Sequence, residues 1–281
     1  NLPRTAQEVC DDIAALCLQL GAGEPVAGIG VGCPGTVCDG VVLYSNNLDW
    51  HDFAMADYLQ AKIGLPVCLG NDANVAALGE ALASCAKGAQ SAVILTLGTG
   101  VGAGIVLGGK LLTGYTGAAA EPGHTVILDT PDAPLCTCGR RGCFESFASA
   151  TALIRMTKEA CAAHPESLLN TLALTENAVT GRTAFDAATK GDAAAKEVVD
   201  RYTRYLAVGV ANLINIFFPE VIGLSGGVAN QGENLLAPLR AAVEPMVFGN
   251  AFAKKHTRIT TCTLGYRAGV IGAALLAKQE E

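Results

Sequence analysis

The sequence predicts an α/β fold of two lobes with a cleft between them. Two observations carry this. Short apolar runs that read as buried strands alternate with segments of helical periodicity, and they do so in two batches that meet near residue 89. Each batch joins a hairpin signal to strand–helix units, the arrangement in which α/β proteins bind ligands at strand ends. With 51% hydrophobic and 16% charged residues, the 281-residue chain has ample apolar material for such a core.

The elements follow in order. Val9, Ile13, Leu16 and Leu20 recur at helical spacing and predict a helix over 5–20. VAGIGVG (26–32) reads as a buried strand and Pro34-Gly35 as a turn. Asp39-Gly40 between apolar runs is a strong hairpin signal. PVCLG (66–70) is a second buried strand, leading into a helix over 73–87 with Val75, Leu78, Leu82 and Ala86 inward. Residues 91–109, SAVILTLGTGVGAGIVLGG, are nearly uncharged and of membrane-spanning length. Glycines at 98, 100, 102, 104, 108 and 109 make them a strand–turn–strand unit instead, continued by KLLTG. Helices are expected over 145–163, 183–189, 192–217, 233–246 and 267–278, with strands at 220–227 and 258–264. One lobe comprises 1–89, with the helix of 267–281 packing back on it; the other comprises 90–266.

Nineteen Lys and Arg against 26 Asp and Glu give a net charge of −7, which offers no field for a nucleic-acid backbone. Arg140-Arg141 and Lys254-Lys255 are expected to be solvated turns. No secretory signal opens the sequence. Of eleven cysteines, Cys17, Cys68, Cys85 and Cys161 sit singly in apolar segments, as reduced thiols do in a cytoplasmic protein. The expectation is a soluble protein with neither membrane nor nucleic acid as partner.

Three stretches carry chemistry. EPGHTVILDTPDAPLCTCGRRGCFE (121–145) holds three cysteines within eight residues, a histidine upstream and a glutamate at either end. Cys136 and Cys138 are too close in sequence for an unstrained disulfide. His124, Cys136, Cys138 and Cys143 supply one nitrogen and three sulfurs, the count for a closed, structural zinc site; free thiols or redox chemistry are the alternative. GND (70–72) lies where a strand hands over to a helix, so Asp72 either caps the helix or serves as an ionised base. LGTGVGAG (97–104) and LSGGVA (224–229) are glycine-rich turns after strands, plain turns or cradles for phosphate.

Taken in order, GNDANVAALGE, LGTGVGAGI, EPGH, CTCGRRGCFE and LSGGVA closely resemble the ROK family (repressors, open reading frames, sugar kinases) across the whole chain, and within it the bacterial glucokinases. N-acetylmannosamine and other amino-sugar or fructose kinases, and sugar-sensing regulators, are relatives. The resemblance implies the two-lobed actin-like ATPase/hexokinase (ribonuclease H-like) fold and ATP-dependent phosphorylation of a hexose, with Mg²⁺ accompanying ATP, a structural Zn²⁺ and a homo-oligomer, dimer or tetramer. It implies Asp72 as the base for the sugar hydroxyl. Gly35, Asn46, Asn47, Asn71, Glu121, His124 and Glu145 would hold the sugar. Thr99, Gly100, Gly226 and Gly227 would face the nucleotide. Kinases of the family begin with a D-x-G-G-T phosphate hairpin whose aspartate helps position Mg²⁺. No such segment occurs in the 281 residues, so the small lobe is expected to be incomplete by that hairpin.

Overall fold

Thr5 opens the first helix with a capping box: its hydroxyl accepts from the Glu8 N–H while the Glu8 carboxylate accepts from the Thr5 N–H. The computed structural model describes residues 4–45 and 48–278. The chain divides into two units: Asn1–Ser91, Gly104–Ala120 and Leu264–Glu281 form the first, Ala92–Ala103 and Glu121–Thr263 the second. Residues 104–120, which the sequence expectation assigned to the 90–266 lobe, group with the first unit.

In the first unit, α1 (Ala6–Leu20) buries Cys10 and Ala14. Leu16 and Leu20 of the expected apolar stripe are instead 54% and 72% exposed. Helix α1 packs on α2 (Met55–Ile63) and shares its core with β1 (Ile29–Cys33). A three-stranded antiparallel meander of β2 (Thr36–Cys38), β3 (Val41–Ser45) and β4 (Trp50–Phe53) follows. Its first turn is the predicted Asp39-Gly40, with φ of 48° and 76° at the two residues, as a tight hairpin turn needs. Neither β4 nor α2 was expected; Trp50, Met55 and Leu59 earn their burial from tertiary packing rather than from a local pattern.

Strand β5 (Val67–Asn71) runs parallel to β1, with Cys33 opposite Asn71, and delivers the chain into α3 (Asp72–Ala83). The last helix, α10 (Ala268–Lys278), lies against α3 backbone to backbone. A Cβ on Gly272 would stand 1.7 Å from the Val75 carbonyl oxygen, so only glycine permits this approach. Glu80, 1% exposed, spends its carboxylate on the N–H groups of Leu264 (3.0 Å) and Gly265 (3.1 Å) at the approach to α10. A buried charge is tolerated there because fixed amide dipoles replace its water.

In the second unit, β6 (Ser91–Leu97) is followed by β7 (Val101–Leu107); β8 (Lys110–Leu111) pairs with the end of β7 in the first unit. The helices are α4 (Glu145–Ala148), α5 (Ala150–Ala163), α6 (Leu168–Thr175), α7 (Thr183–Thr189), α8 (Ala193–Phe217) and α9 (Glu233–Val243). Strands β9 (Val221–Ser225) and β10 (Arg258–Thr261) pair in parallel with β6 in the order β10-β9-β6. The expected single helix over 145–163 is broken at Ser149. Its backbone is extended and its hydroxyl caps α5 by accepting from the Ala152 N–H. Helix α6, also unexpected, is capped by Ser167. Tyr202, Leu206, Val210 and Ile214 form the buried stripe of α8. Among the described residues no helix is long and apolar enough to cross a membrane.

Candidate active site and metal-ligand cluster

In the second unit, Glu121 precedes a short 3₁₀ turn, Pro122–His124, whose end is fixed by the His124 N–H donating to the Glu121 carbonyl. Across from it the cysteine segment folds back. The Cys136 N–H donates to Arg140 O and the Gly139 N–H to Cys136 O, closing a tight turn. The Phe144 N–H on Thr125 O then sets Cys143 beside the histidine segment. The ligand atoms of His124, Cys136, Cys138 and Cys143 all lie within 4.8 Å of one another. Cys136 Sγ is 3.6 Å from His124 Nδ1, and Cys138 Sγ is 3.6 Å from Cys143 Sγ. Tetrahedral zinc at ordinary bond lengths requires ligand–ligand edges of about 3.6–3.8 Å. The donor set fits a tetrahedral ion, and two of its edges already have that length.

Without an ion the cysteines divide: hydrogen bonding from the Arg140 backbone N–H leads in lowering the Cys138 thiol to about 6, while burial first, and then the neighbouring cysteines, push Cys143 up to about 12. Arg140 also donates to the His124 carbonyl at 2.7 Å, and Arg141 to the Ala133 carbonyl at 2.8 Å. The pair expected to be a solvated turn thus ties the loop together.

Phe144, between ligand Cys143 and Glu145, is fully buried. A Cβ on Gly209 would come within 2.2 Å of its ring, so α8 carries a glycine where the ring seats. That anchor aims Glu145, the first residue of α4, at the glycine-rich turn. Glu145 Oε2 accepts from the Val101 N–H at 3.1 Å, and Oε1 accepts from the Thr137 hydroxyl at 2.9 Å. A Cβ on Gly100 would stand 2.3 Å from Oε2, which explains the glycine there. Cys136 Sγ also reaches Oε1 at 3.5 Å, and the carboxylate, with about four lone-pair sites, keeps one for a ligand. Glu121 is exposed by area, yet desolvation among its neighbours raises its carboxyl pKa, with His124 opposing and Glu145 adding to the rise.

The turn at 98–100 and the Gly226-Gly227 turn emerge side by side, because Thr96 pairs with Ser225 across parallel β6 and β9. Gly226 has φ 87° and ψ 176°, and a Cβ there would meet Leu97 O at 2.5 Å. Both turns therefore leave the carboxyl ends of parallel strands, where α/β sheets bind ligands. The Ala150 N–H donates to Gly98 O and the Thr151 hydroxyl to Thr99 O, so the start of α5 holds the first turn.

The remaining candidates cluster in the first unit. Asn71 caps α3, its Oδ1 accepting from the Ala73 N–H (3.0 Å) and the Asn74 N–H (3.1 Å), while Nδ2 donates to Gly35 O (2.9 Å). This corrects the capping reading of Asp72. The cap is Asn71, and Asp72 is the first helical residue, exposed, with Oδ1 accepting from the Ala73 N–H at 2.9 Å. Asn46 and Asn47 lie outside the described residues. Sequence reasoning missed Thr137, Phe144 and Glu80; only their places inside the quoted motifs signalled them.

Comparison with known proteins agrees with this geometry. The ROK family pattern matches residues 3–280. A glucokinase of Halalkalibacterium halodurans is 41% identical over 256 residues, 90% of this chain and 77% of that protein. One from Thermotoga maritima is 38% identical over 276 residues, 97% of this chain and 86% of that protein. The crystal structure of a ROK family glucokinase from Streptomyces griseus, in complex with glucose and AMPPNP, superposes with a TM-score of 0.75 at 36% identity, covering 99% of this chain and 89% of that one. A xylose repressor of Caldicellulosiruptor bescii is 33% identical over 249 residues, 88% of this chain and 61% of the repressor.

Proposed function

This chain belongs to the ROK family and has its two-lobed actin-like fold, and from that premise we propose that it transfers the γ-phosphoryl group of ATP to a hexose, glucose giving glucose 6-phosphate. The observation that carries the mechanism is Asp72. Its carboxylate is exposed at the first turn of α3 and relieved of capping by Asn71, so one oxygen stays available for a sugar hydroxyl proton. Phosphoryl transfer asks mainly for alignment and charge neutralisation, so an ordinary ionised aspartate suffices. Mg²⁺ bound with ATP would supply charge neutralisation at its phosphates.

Thr99, Gly100, Gly226 and Gly227 face the nucleotide, the two turns exposing backbone N–H groups with little side chain in the way. In the first unit Asn71 has a second Nδ2 hydrogen, beyond its bond to Gly35, for a sugar hydroxyl; in the second unit Glu121, His124 and Glu145 are the groups for sugar hydroxyls. His124, Cys136, Cys138 and Cys143 would hold zinc, a structural ion that would cross-link the loop and orient the imidazole. His124 Nδ1 is the nitrogen on the sulfur side, which leaves Nε2 for the sugar. Glu121→Gln is expected to raise the sugar KM about tenfold while the KM for ATP moves by less than about twofold. Steady-state kinetics with each substrate varied decides this; a larger change in the ATP constant removes Glu121 from the sugar site.

None of the eleven cysteines is in a disulfide, which suits a reducing cytoplasm. The protein forms a homo-oligomer, a dimer or tetramer. Phe248 and Phe252, each 92% exposed, and Ile216, 69% exposed, support this as apolar surface of the second unit that a second copy would cover. A monomer mass by light scattering at micromolar concentration would remove that assignment.

The test of the activity is a coupled ADP-release screen of glucose, N-acetylmannosamine, N-acetylglucosamine and fructose on the purified protein. The repressor likeness motivates a second reading, a sugar-sensing regulator. No ADP release with any sugar, together with a DNA gel shift relieved by sugar, would favour it.

A further inference from the structure

Thr137 sits between two metal-ligand cysteines, and nothing in the kinase reading gives it a task. Its hydroxyl donates to Glu145 Oε1 at 2.9 Å, and the opposite oxygen of that carboxylate accepts from the Val101 N–H at 3.1 Å. The Val101 amide is the first beyond the 98–100 turn, which the Gly98 N–H closes on Gly100 O at 3.0 Å. The turn is thus gripped at its start by α5 and at its end by Glu145. The missing Cβ of Gly100 lets the carboxylate sit directly on it.

We propose that Thr137 is a positioning residue for nucleotide binding: its hydroxyl pins the Glu145 carboxylate under Val101, so that the metal-ligand loop sets the shape of the turn that meets the phosphates. The proposal rests on the kinase reading in which Thr99 and Gly100 face the nucleotide. Cys136 Sγ also lies 3.5 Å from Oε1, but as a metal-bound thiolate it has no proton to donate, so the Thr137 hydroxyl is what holds that oxygen, and without it the glutamate regains rotamer freedom. Bonds in which a carboxylate accepts are also stronger than neutral ones, so losing the hydroxyl weakens the grip on the turn. The metal loop and the nucleotide turn, separate motifs in the sequence, then act as one unit through a single carboxylate.

The experiment compares Thr137→Val, which keeps the branched shape, with Thr137→Ser, which keeps the hydroxyl, in the full chain with its metal bound. Calorimetry with Mg·ADP alone is read beside KM for ATP, kcat, metal content and melting temperature. Thr137→Val is expected to weaken ADP binding measured without sugar and to raise the ATP KM about three- to tenfold, with kcat within about twofold. The sugar KM is expected to rise as well, because the same carboxylate meets the sugar, and Thr137→Ser to restore the parent values. Metal content and melting temperature are expected to stay at the parent's. Unchanged ADP affinity in Thr137→Val overturns the proposal. So does loss of metal together with affinity, or a serine variant as weak as the valine one, because each makes the role structural. Parent protein that binds no ADP at all overturns the kinase reading itself.

Discussion

Asp72→Asn is expected to lower kcat for glucose by roughly 10²-fold or more while leaving the sugar Kd within about tenfold. The amide has the shape of the carboxylate and still hydrogen-bonds a hydroxyl, but it cannot take the proton. The structure makes the experiment cleaner than sequence alone allows. Because Asn71 carries both capping bonds, the substitution leaves the α3 cap intact. What remains is the first-turn charge, a contribution of about 0.3–1 kcal/mol at an exposed site. The companion variant Asn71→Ala removes the cap and should cost about 1 kcal/mol in denaturant unfolding. Turnover is measured beside calorimetric glucose affinity. A kcat within a few-fold of the parent would show that another group takes the proton.

Cys143→Ser carries the second large effect. Cys143 is a buried member of the His124–cysteine cluster, and the same residue leads the chain into Phe144 and Glu145. Structural zinc sites hold their metal with apparent energies of about 10–16 kcal/mol, so losing one of four ligands should empty most sites during purification. Without the ion, His124 loses its fixed orientation and the cysteine turn its anchor. Glucose affinity should fall by about tenfold or more, with a lower melting temperature. Elemental analysis of parent and variant, followed by calorimetry with glucose, tests both halves. Carefully purified parent protein without zinc, or a metal-free variant with parental sugar affinity, would refute the assignment.

Much of this was legible because the information is local. The ligand set of His124 and three cysteines is defined by residue type and spacing, and a tight turn needs nothing beyond its own glycines to close. The Asp39-Gly40 hairpin and the strand-to-helix step at GND likewise follow from backbone preferences of adjacent residues. Strands and helices of the α/β pattern were readable where apolar periodicity was strong, as along α8.

The rest depended on partners distant in the chain. Ala148-Ser149-Ala150 is locally compatible with continuous helix. The break there is fixed by Tyr202 donating to the Ala148 carbonyl at 2.7 Å and the Ala150 N–H donating to Gly98 O at 2.8 Å. In the same way Leu16 and Leu20 share the helical spacing of Val9 and Ile13, but core material reaches only the N-terminal part of α1. Sequence by itself therefore determined the α/β pattern, the family and the ligand types, because periodicity and motif spacing are properties of neighbouring residues. Only the tertiary structure decided that Asn71 rather than Asp72 caps α3, and that Glu145 spans Thr137 and Val101. A hydrogen bond goes to whichever donor the folded chain brings within about 3 Å, and no local pattern encodes that distance.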